Sequence, residues 1–271
     1  MNEDSIVRKL RRNAPLIGDD CAVIQTPRNQ DLLFTTDFSI EGVHFTRESS
    51  AEQIGRRAVA RSLSDIAAMG GSPLYCLISL ALADWTDPHW IDGFYRGVSK
   101  LLRQTKTQLA GGDISHANQL VCDVMICGSV GKGKALRRAG AAPGDCIYVS
   151  GPLGGWRHKS DISPRLDIGR KLIGKATACM DISDGLALDL HRLCLASGVA
   201  AEIDSVPLMD GATVEQALHD GEDYELLYTA HPKRRVPGIQ IGTITKGTPG
   251  ALRYQGRKLA PTGYDHLQPR S

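Results

Sequence analysis

Five short segments set a carboxylate beside Gly, Ser or Thr: Gly18-Asp19-Asp20, Thr35-Thr36-Asp37, Ser64-Asp65, Gly111-Gly112-Asp113 and Asp181-Ile182-Ser183-Asp184-Gly185. Most of them follow or end an apolar stretch that reads as a strand. Carboxylates gathered at strand ends repel one another unless cations neutralise them. Hard divalent ions take oxygen ligands, and Mg²⁺ combines carboxylates with substrate phosphates. The pattern points to an enzyme that holds a polyphosphate through metal ions.

Each segment also has a plainer reading. Ser183 or Asp184 would serve as an N-cap for the helix that follows, which accounts for one of the two aspartates but not for both, nor for Gly185. Asp65 lies near the C-terminal end of a helix, where its charge faces the negative end of the helix dipole. Arg61 and Arg57, spaced by four, offer an ordinary ion pair there. Gly111-Gly112-Asp113 and Gly18-Asp19-Asp20 read singly as turns. Asp37 interrupts an otherwise apolar strand, where a lone charge is costly unless paired.

Other chemistries find little support. There is no G-x-x-x-x-G-K-[ST] loop and no G-x-G-x-x-G after a strand. Gly131-Lys132-Gly133-Lys134 follows a strand without opening a clear helix and reads as a hairpin turn. No Cys/His spacing suggests zinc, and no G-x-S-x-G elbow marks a serine nucleophile. Among eight histidines only His44, at the end of the Asp37 strand, draws notice.

The elements that must position these residues read as follows. Cys21–Ile24 and Asp31–Phe38 are strands separated by a turn at 27–30. Residues 51–69 form a helix, apolar over most of its circumference and therefore buried, closed by Gly70-Gly71. Leu74–Ala83 is a strand, Pro88–Thr105 a second helix, and Leu120–Val130 a strand buried on both faces. A turn over 140–145 opens a second half, expected to run from 140 to 271 after a first domain of 1–139. In it Cys146–Ser150 and Ala176–Ile182 read as strands, Leu186–Ala196 as a helix capped by Gly198, and two or three strands fill 199–259. Residues 156–170 are polar and left without an element. Alternating strands and helices in both halves give an α/β or α+β two-domain protein.

Composition narrows the function classes. The chain has 271 residues, 42% hydrophobic and 23% charged, with a net charge of +2, ordinary globular values that give no basis for a nucleic-acid partner. Seven scattered cysteines, an odd number without a C-x-x-C pair, favour a reducing compartment over a disulfide framework. The N-terminus lacks an apolar signal core and the longest apolar stretch is too short for a bilayer, so a cytoplasmic protein without membrane contact is expected.

Taken in order, Gly18-Asp19-Asp20-Cys21-Ala22, Thr35-Thr36-Asp37 with Glu41-Gly42-Val43-His44-Phe45, Ser62-Leu63-Ser64-Asp65-Ile66-Ala67-Ala68-Met69-Gly70, Gly111-Gly112-Asp113, Arg138-Ala139-Gly140-Ala141, Asp181-Ile182-Ser183-Asp184-Gly185-Leu186 and Gly221-Glu222-Asp223-Tyr224-Glu225-Leu226 resemble the thiamine-monophosphate kinase family. That family belongs to the superfamily of aminoimidazole ribonucleotide synthetase, selenophosphate synthetase and HypE. The resemblance implies a PurM-like two-domain fold, an N-terminal α/β domain whose sheets pair into a β-barrel in a homodimer, and a C-terminal α+β domain. It implies phosphorylation of thiamine monophosphate by ATP with Mg²⁺. The implied metal ligands are Asp20, Thr35, Thr36, Asp37, Asp65, Asp113, Asp181 and Asp184, with Asp184, Asp113 and Asp65 central to catalysis. Tyr95, Gly112, Asp113, Arg138 and Ser183 would contact ATP, and His44 and Glu222 the thiamine substrate.

The chain also departs from the family. After Gly151-Pro152-Leu153-Gly154 it passes through Trp156-Arg157-His158-Lys159 to Ser163-Pro164-Arg165, where the family usually carries a longer segment with a helix. Asp220 stands where glycine is usual, and Leu267 where an aromatic is common. The ATP and metal motifs lie outside these changes, and the sequence points to phosphoryl transfer more firmly than to the identity of the acceptor. The changes leave open a superfamily enzyme with another acceptor, or a shortened relative that binds nucleotide or thiamine phosphate without turnover.

Overall fold

A computed structural model describes residues 3–12, 14–155, 162–265 and 267. Trp156–Lys159 of the shortened segment lie outside the described residues. The chain opens with helix α1 (Glu3–Leu10) and runs into strands β1 (Ala22–Ile24) and β2 (Gln30–Ile40). Helix α2 (Ala51–Ala68), strand β3 (Ser72–Leu82), helix α3 (Pro88–Thr105) and strands β4 (Gln108–His116) and β5 (Val121–Gly131) follow. These strands form one sheet in the order β1-β2-β5-β3-β4, with β4 parallel to β3 and the other neighbours antiparallel.

Alternation on these strands sends Leu33, Ile78, Leu80, Val124 and Ile126 to one face, where Val59, Leu63 and Ile66 of α2 and Phe94 and Val98 of α3 cover them. The helix boundaries have local causes. Ser50 and Gln53 make a reciprocal capping box at the start of α2. Asp87 accepts the Trp90 N–H at 2.7 Å ahead of Pro88, and α3 ends on Lys106 in the left-handed region. The opposite face of the sheet has no covering layer among the described residues. Phe38, 57% exposed, lies on it, and every residue of the edge strand β4 is exposed.

The second half contains β6 (Cys146–Val149), α4 (Leu166–Leu172), β7 (Ala176–Asp181), α5 (Leu186–Ser197), β8 (Ala200–Ile203), α6 (Val214–His219), β9 (Leu226–Ala230), β10 (Ile239–Thr245), β11 (Leu252–Tyr254) and β12 (Arg257–Leu259). Its strands make a seven-stranded mixed sheet in the order β12-β11-β8-β10-β6-β9-β7. A second apolar cluster, including Ile147, Val149, Leu186, Leu190 and Ile244, lies between this sheet and α5. Helix α2 spans the two halves, packing on β2 and β5 while its other side meets α4 and β7.

Several details differ from the sequence expectation. Leu120–Val130, expected to be buried on both faces, alternates over 121–126 between half-buried and buried residues, because one face of its sheet is uncovered among the described residues. Gly111-Gly112-Asp113 is not a turn but the middle of β4, where a side chain on Gly112 would overlap the Ile78 carbonyl of β3. Gly131–Lys134 does not close a hairpin. The Gly133 N–H caps the Asp31 carboxylate at 2.8 Å, and the chain leaves the sheet toward Arg137. Part of 156–170 is helical as α4, and 199–259 holds five strands and a short helix rather than two or three strands. Helix α1 was not foreseen, because its basic run Arg8–Arg12 masks the apolar spacing.

Candidate active site

Three carboxylates from distant parts of the chain meet where α2 bridges the two sheets. Asp20 precedes β1, Asp65 sits near the end of α2, and Asp181 is the last residue of β7. One oxygen of each lies within 4.8 Å of the others. Ser64 Oγ donates to Asp181 Oδ2 at 2.7 Å, Thr35 Oγ1 donates to Asp65, and the Arg138 guanidinium grips Asp20 Oδ1, with Nε at 3.0 Å. Asp37, on the helix-facing side of β2, joins this group. Asp20 Oδ2 and Asp37 Oδ2 are buried without a hydrogen-bond partner.

Electrostatics follow from that crowding. Burial, then the charges of Asp37, Asp181 and Asp20, raise the Asp65 carboxyl well above its ordinary range. Burial, then Asp20, does the same to Asp181. Asp20 and Asp37 are also raised by burial, against the opposing pull of Arg138 and Arg61 respectively. Like charges in a dry place favour protonation unless a cation is supplied. The donor set is oxygen only, and two of its buried oxygens are orphaned. These residues fit a hard divalent cation and could hold one.

A second layer comes from two loops laced together. Tyr224 N–H donates to Ile182 O at 2.8 Å and Glu222 N–H to Ser183 O at 2.7 Å, while Ile182 N–H donates to Glu225 O at 2.8 Å. Glu222 and Tyr224 both have positive φ, an uncommon geometry for residues with side chains. A side chain on Gly221 would overlap the Ser183 carbonyl, so glycine is required there. The anticipated Arg61–Asp65 pair does not form. Arg61 Nη1 and Arg57 Nη2 instead reach Glu222 at 2.9 and 3.2 Å, and Arg61 lies over the Tyr224 ring.

Neither Ser183 nor Asp184 caps α5. Its N-cap is Gly185, without a side-chain hydrogen bond. Asp189, one turn inside the helix and fully buried, accepts the N–H groups of Ser183, Asp184 and Gly185 at 3.1, 3.0 and 3.2 Å on one oxygen. Burial, then the Asp184 charge, pushes Asp189 up to about 7, against the pull of Arg192. Arg192 pairs with Asp184, Asp189 and Asp4.

The expected residues therefore divide. Asp20, Thr35, Asp37, Asp65, Asp181 and Arg138 converge. Asp184 and Glu222 stand beside them through Arg61, which is in electrostatic reach of Asp37, Glu222 and Asp184, and Ser183 is held by its carbonyl to the Glu222 N–H. His44, on the turn after β2, accepts the Ile40 N–H on Nδ1 at 3.0 Å. Thr36 points to the uncovered face, where it donates to Asp123 Oδ1 at 2.5 Å. Gly112 and Asp113 are on β4, three strand positions from β2, about 14 Å across the sheet. Tyr95 packs edge-on to Phe94 on α3, with ring centroids 5.4 Å apart, and no contact among the described residues joins it to the carboxylates. Sequence reasoning missed Asp189, Arg192 and Asp123. The available signal for Asp189 was a carboxylate on the buried stripe of Leu186, Ala187, Leu190, Leu193 and Cys194.

Residues 18–130 match the family described as AIR synthase related protein, N-terminal domain. The two mixed sheets and the carboxylates between them define a two-domain, PurM-like α/β protein of that class. The chain is 33% identical to a thiamine-monophosphate kinase of Aquifex aeolicus over 93% of both chains. It is 36% identical to that of Haemophilus influenzae over 93% of this chain and 91% of the other. The solved structure of AaThiL complexed with AMPPCP and TMP superposes with a TM-score of 0.89 at 30% identity, covering 98% of this chain and 97% of that one. At 17% identity, hydrogenase maturation protein HypE in complex with ATP shares the fold, with a TM-score of 0.73 and coverage of 90% and 87%. The chain belongs to the thiamine-monophosphate kinase family. No helix among the described residues is long and apolar enough to cross a membrane.

Proposed function

We propose that this chain transfers the terminal phosphoryl group of ATP to thiamine monophosphate, giving ADP and thiamine diphosphate. The observation that carries the reading is the convergence of Asp20, Asp65 and Asp181 in a chain with this family membership. A phosphate monoester has a second pKa of about 6, so its oxygen is already a nucleophile at neutral pH. The protein's tasks are to align two anions and to cancel their repulsion. Asp20, Asp37, Asp65 and Asp181, with Thr35 and Asp184 beside them, would hold Mg²⁺, while Thr36 and Asp113 lie apart from this group, on the uncovered face and on the edge strand β4, and would serve only a separate metal position. Bound Mg²⁺ supplies the charge neutralisation. Arg138, Ser183, Gly112 and Tyr95 serve the nucleotide, and Glu222 and His44 face the thiamine moiety.

The family relative bound to AMPPCP and TMP supports both ligands. The uncovered sheet face and the wholly exposed β4 support a homodimer in which two such sheets pair as a barrel. The turn over 140–145, with one complete sheet on each side of it, supports a division into 1–139 and 140–271. Seven free cysteines accord with a cytoplasmic setting.

The test is ADP release with ATP and Mg²⁺, with and without thiamine monophosphate, and with the metal chelated. Release that needs both the acceptor and the metal is the expected result. ATP loss without thiamine monophosphate, or nucleotide binding with no ADP, would refute the assignment.

A further inference from the structure

Among the described residues Asp189 and Arg192 make no hydrogen bond or ion pair with Asp20, Asp65 or Asp181, although the Asp189 charge reaches Asp181, and they determine the shape of the turn beside that group. The Ser183-Asp184-Gly185 turn presents three N–H groups in one direction, and no side chain of the turn itself meets them. Asp189 Oδ2 takes all three. Its other oxygen, Oδ1, accepts from Arg192 Nη1 at 3.0 Å, and the same Nη1 donates to Asp184. One guanidinium thus joins the carboxylate that shapes the turn to the carboxylate the turn displays. The Nε of Arg192 reaches Asp4 of α1 at 3.2 Å, which ties the N-terminal helix to the same point. The Arg192 side chain lines a cavity of about 570 Å³ together with Ser5, Leu188 and Pro261, so it is reachable from solvent.

We propose that Asp189 and Arg192 are positioning residues for phosphoryl transfer: Asp189 fixes the backbone of the Ser183–Gly185 turn, and Arg192 fixes the direction in which Asp184 points. Neither touches substrate. A buried carboxylate that satisfies three otherwise orphaned donors is rigid, because every departure from its geometry strands an N–H group. A guanidinium with fixed donor directions transmits that rigidity to a second carboxylate.

Two readouts test this, one of which does not depend on the reaction assigned above. The first is amide hydrogen exchange at Ser183, Asp184 and Gly185 in the full-length protein. Asp189→Ala should speed exchange at these three amides about tenfold or more while amides of β9 keep their wild-type rates. The second is steady-state kinetics of Arg192→Ala and Arg192→Lys on ATP and thiamine monophosphate. Arg192→Ala should lose about 100-fold in kcat with KM values moved by less than about threefold. Added guanidinium, compared with sodium chloride at the same ionic strength, should restore part of the loss through the cavity. Arg192→Lys should recover less than guanidinium does, because an ammonium in the place of Nη1 cannot also supply the Nε–H that reaches Asp4.

Unchanged exchange at the three amides would overturn the role of Asp189. A kcat that falls only with the folded fraction, or that guanidinium leaves unmoved, would overturn the role of Arg192. A wild-type protein inactive on thiamine monophosphate would sink the reaction assignment instead, and amide exchange, repeated on Arg192→Ala, would still decide whether the clamp exists. If Asp189→Ala does not fold, the Arg192→Ala exchange profile decides the same point.

Discussion

Two groups of buried aspartates sit next to each other in this molecule and are handled in opposite ways. Asp184 and Asp189 share the guanidinium of Arg192, and Asp189 gives its other oxygen to three backbone N–H groups. Among the described residues the hydroxyl donors of Thr35 and Ser64 serve Asp65 and Asp181, and Asp20 and Asp37 each keep one oxygen with no partner. The first group carries its own counter-charge, so it is finished architecture. The second has Arg138 on one oxygen of Asp20 and Arg61 within reach of Asp37, but Asp65 and Asp181 face other carboxylates with no guanidinium hydrogen-bonded to them among the described residues. Buried carboxylates crowded together with unpartnered oxygens are the arrangement that a hard cation would relieve.

That contrast can be broken most sharply by removing one carboxylate from each group. Asp181→Asn should lower turnover by about 1000-fold and yet raise the Tm of the metal-free protein, because one repelling charge has gone. Asp189→Ala should lower the Tm, because it leaves three N–H groups and Arg192 without their acceptor. Circular dichroism melts in chelator decide it. Shifts of the same sign in both variants would erase the distinction drawn above.

The next effect in size is the response to pH. Asp20, Asp37, Asp65 and Asp181 are raised in the folded state, and Asp189 stands at about 7. A raised carboxyl means that the native state binds more protons than the unfolded chain between the unfolded pKa of about 4 and the folded value. Their contribution therefore favours folding at the acid end of that window and is lost as pH rises through it. Urea unfolding from pH 4.5 to 8 in chelator should show this fall, steeper in the wild type than in Asp181→Asn. Mg²⁺ at pH 8 should restore stability to the wild type and little to the variant. A parallel pH response in the two proteins would count against charge crowding in the first group.

The smallest expected effect is that of Ser64→Ala, which removes the hydroxyl donor at Asp181. It should cost about 1 kcal/mol of unfolding free energy, read by urea denaturation, with turnover reduced far less than in Asp181→Asn. A loss of activity as deep as that of Asp181→Asn would mean that the donor, not the carboxylate, is what the reaction needs.

How much of this was legible in the sequence depended on whether a local rule was at work. Helix α3 was read to its end residues, because Asp87, Pro88 and a regular apolar spacing all act within its own span. The convergence of Asp20, Asp65 and Asp181 was suggested by residue type, and their shared position is a matter of topology that composition cannot carry. β4 was lost because a Gly-Gly-Asp segment looks like a turn unless one knows that β3 lies against it closely enough to exclude a Cβ. The plainer reading offered Arg61 the nearest carboxylate in sequence, whereas the chain brings Glu222 to it from 161 residues away. Asp189 was hidden in a different way. Its neighbours gave the helix, and only the fold reveals that the helix is capped from within.

The stripe on α2 has a consequence for how such a protein can change. Arg57, Arg61, Ser64 and Asp65 all leave one side of a single 18-residue helix to meet the other half of the molecule. They are tied together mechanically as teeth are on one gear. Adding or deleting one residue upstream within this helix would turn them all by about 100°, so drift here can proceed by substitution and hardly at all by change of length.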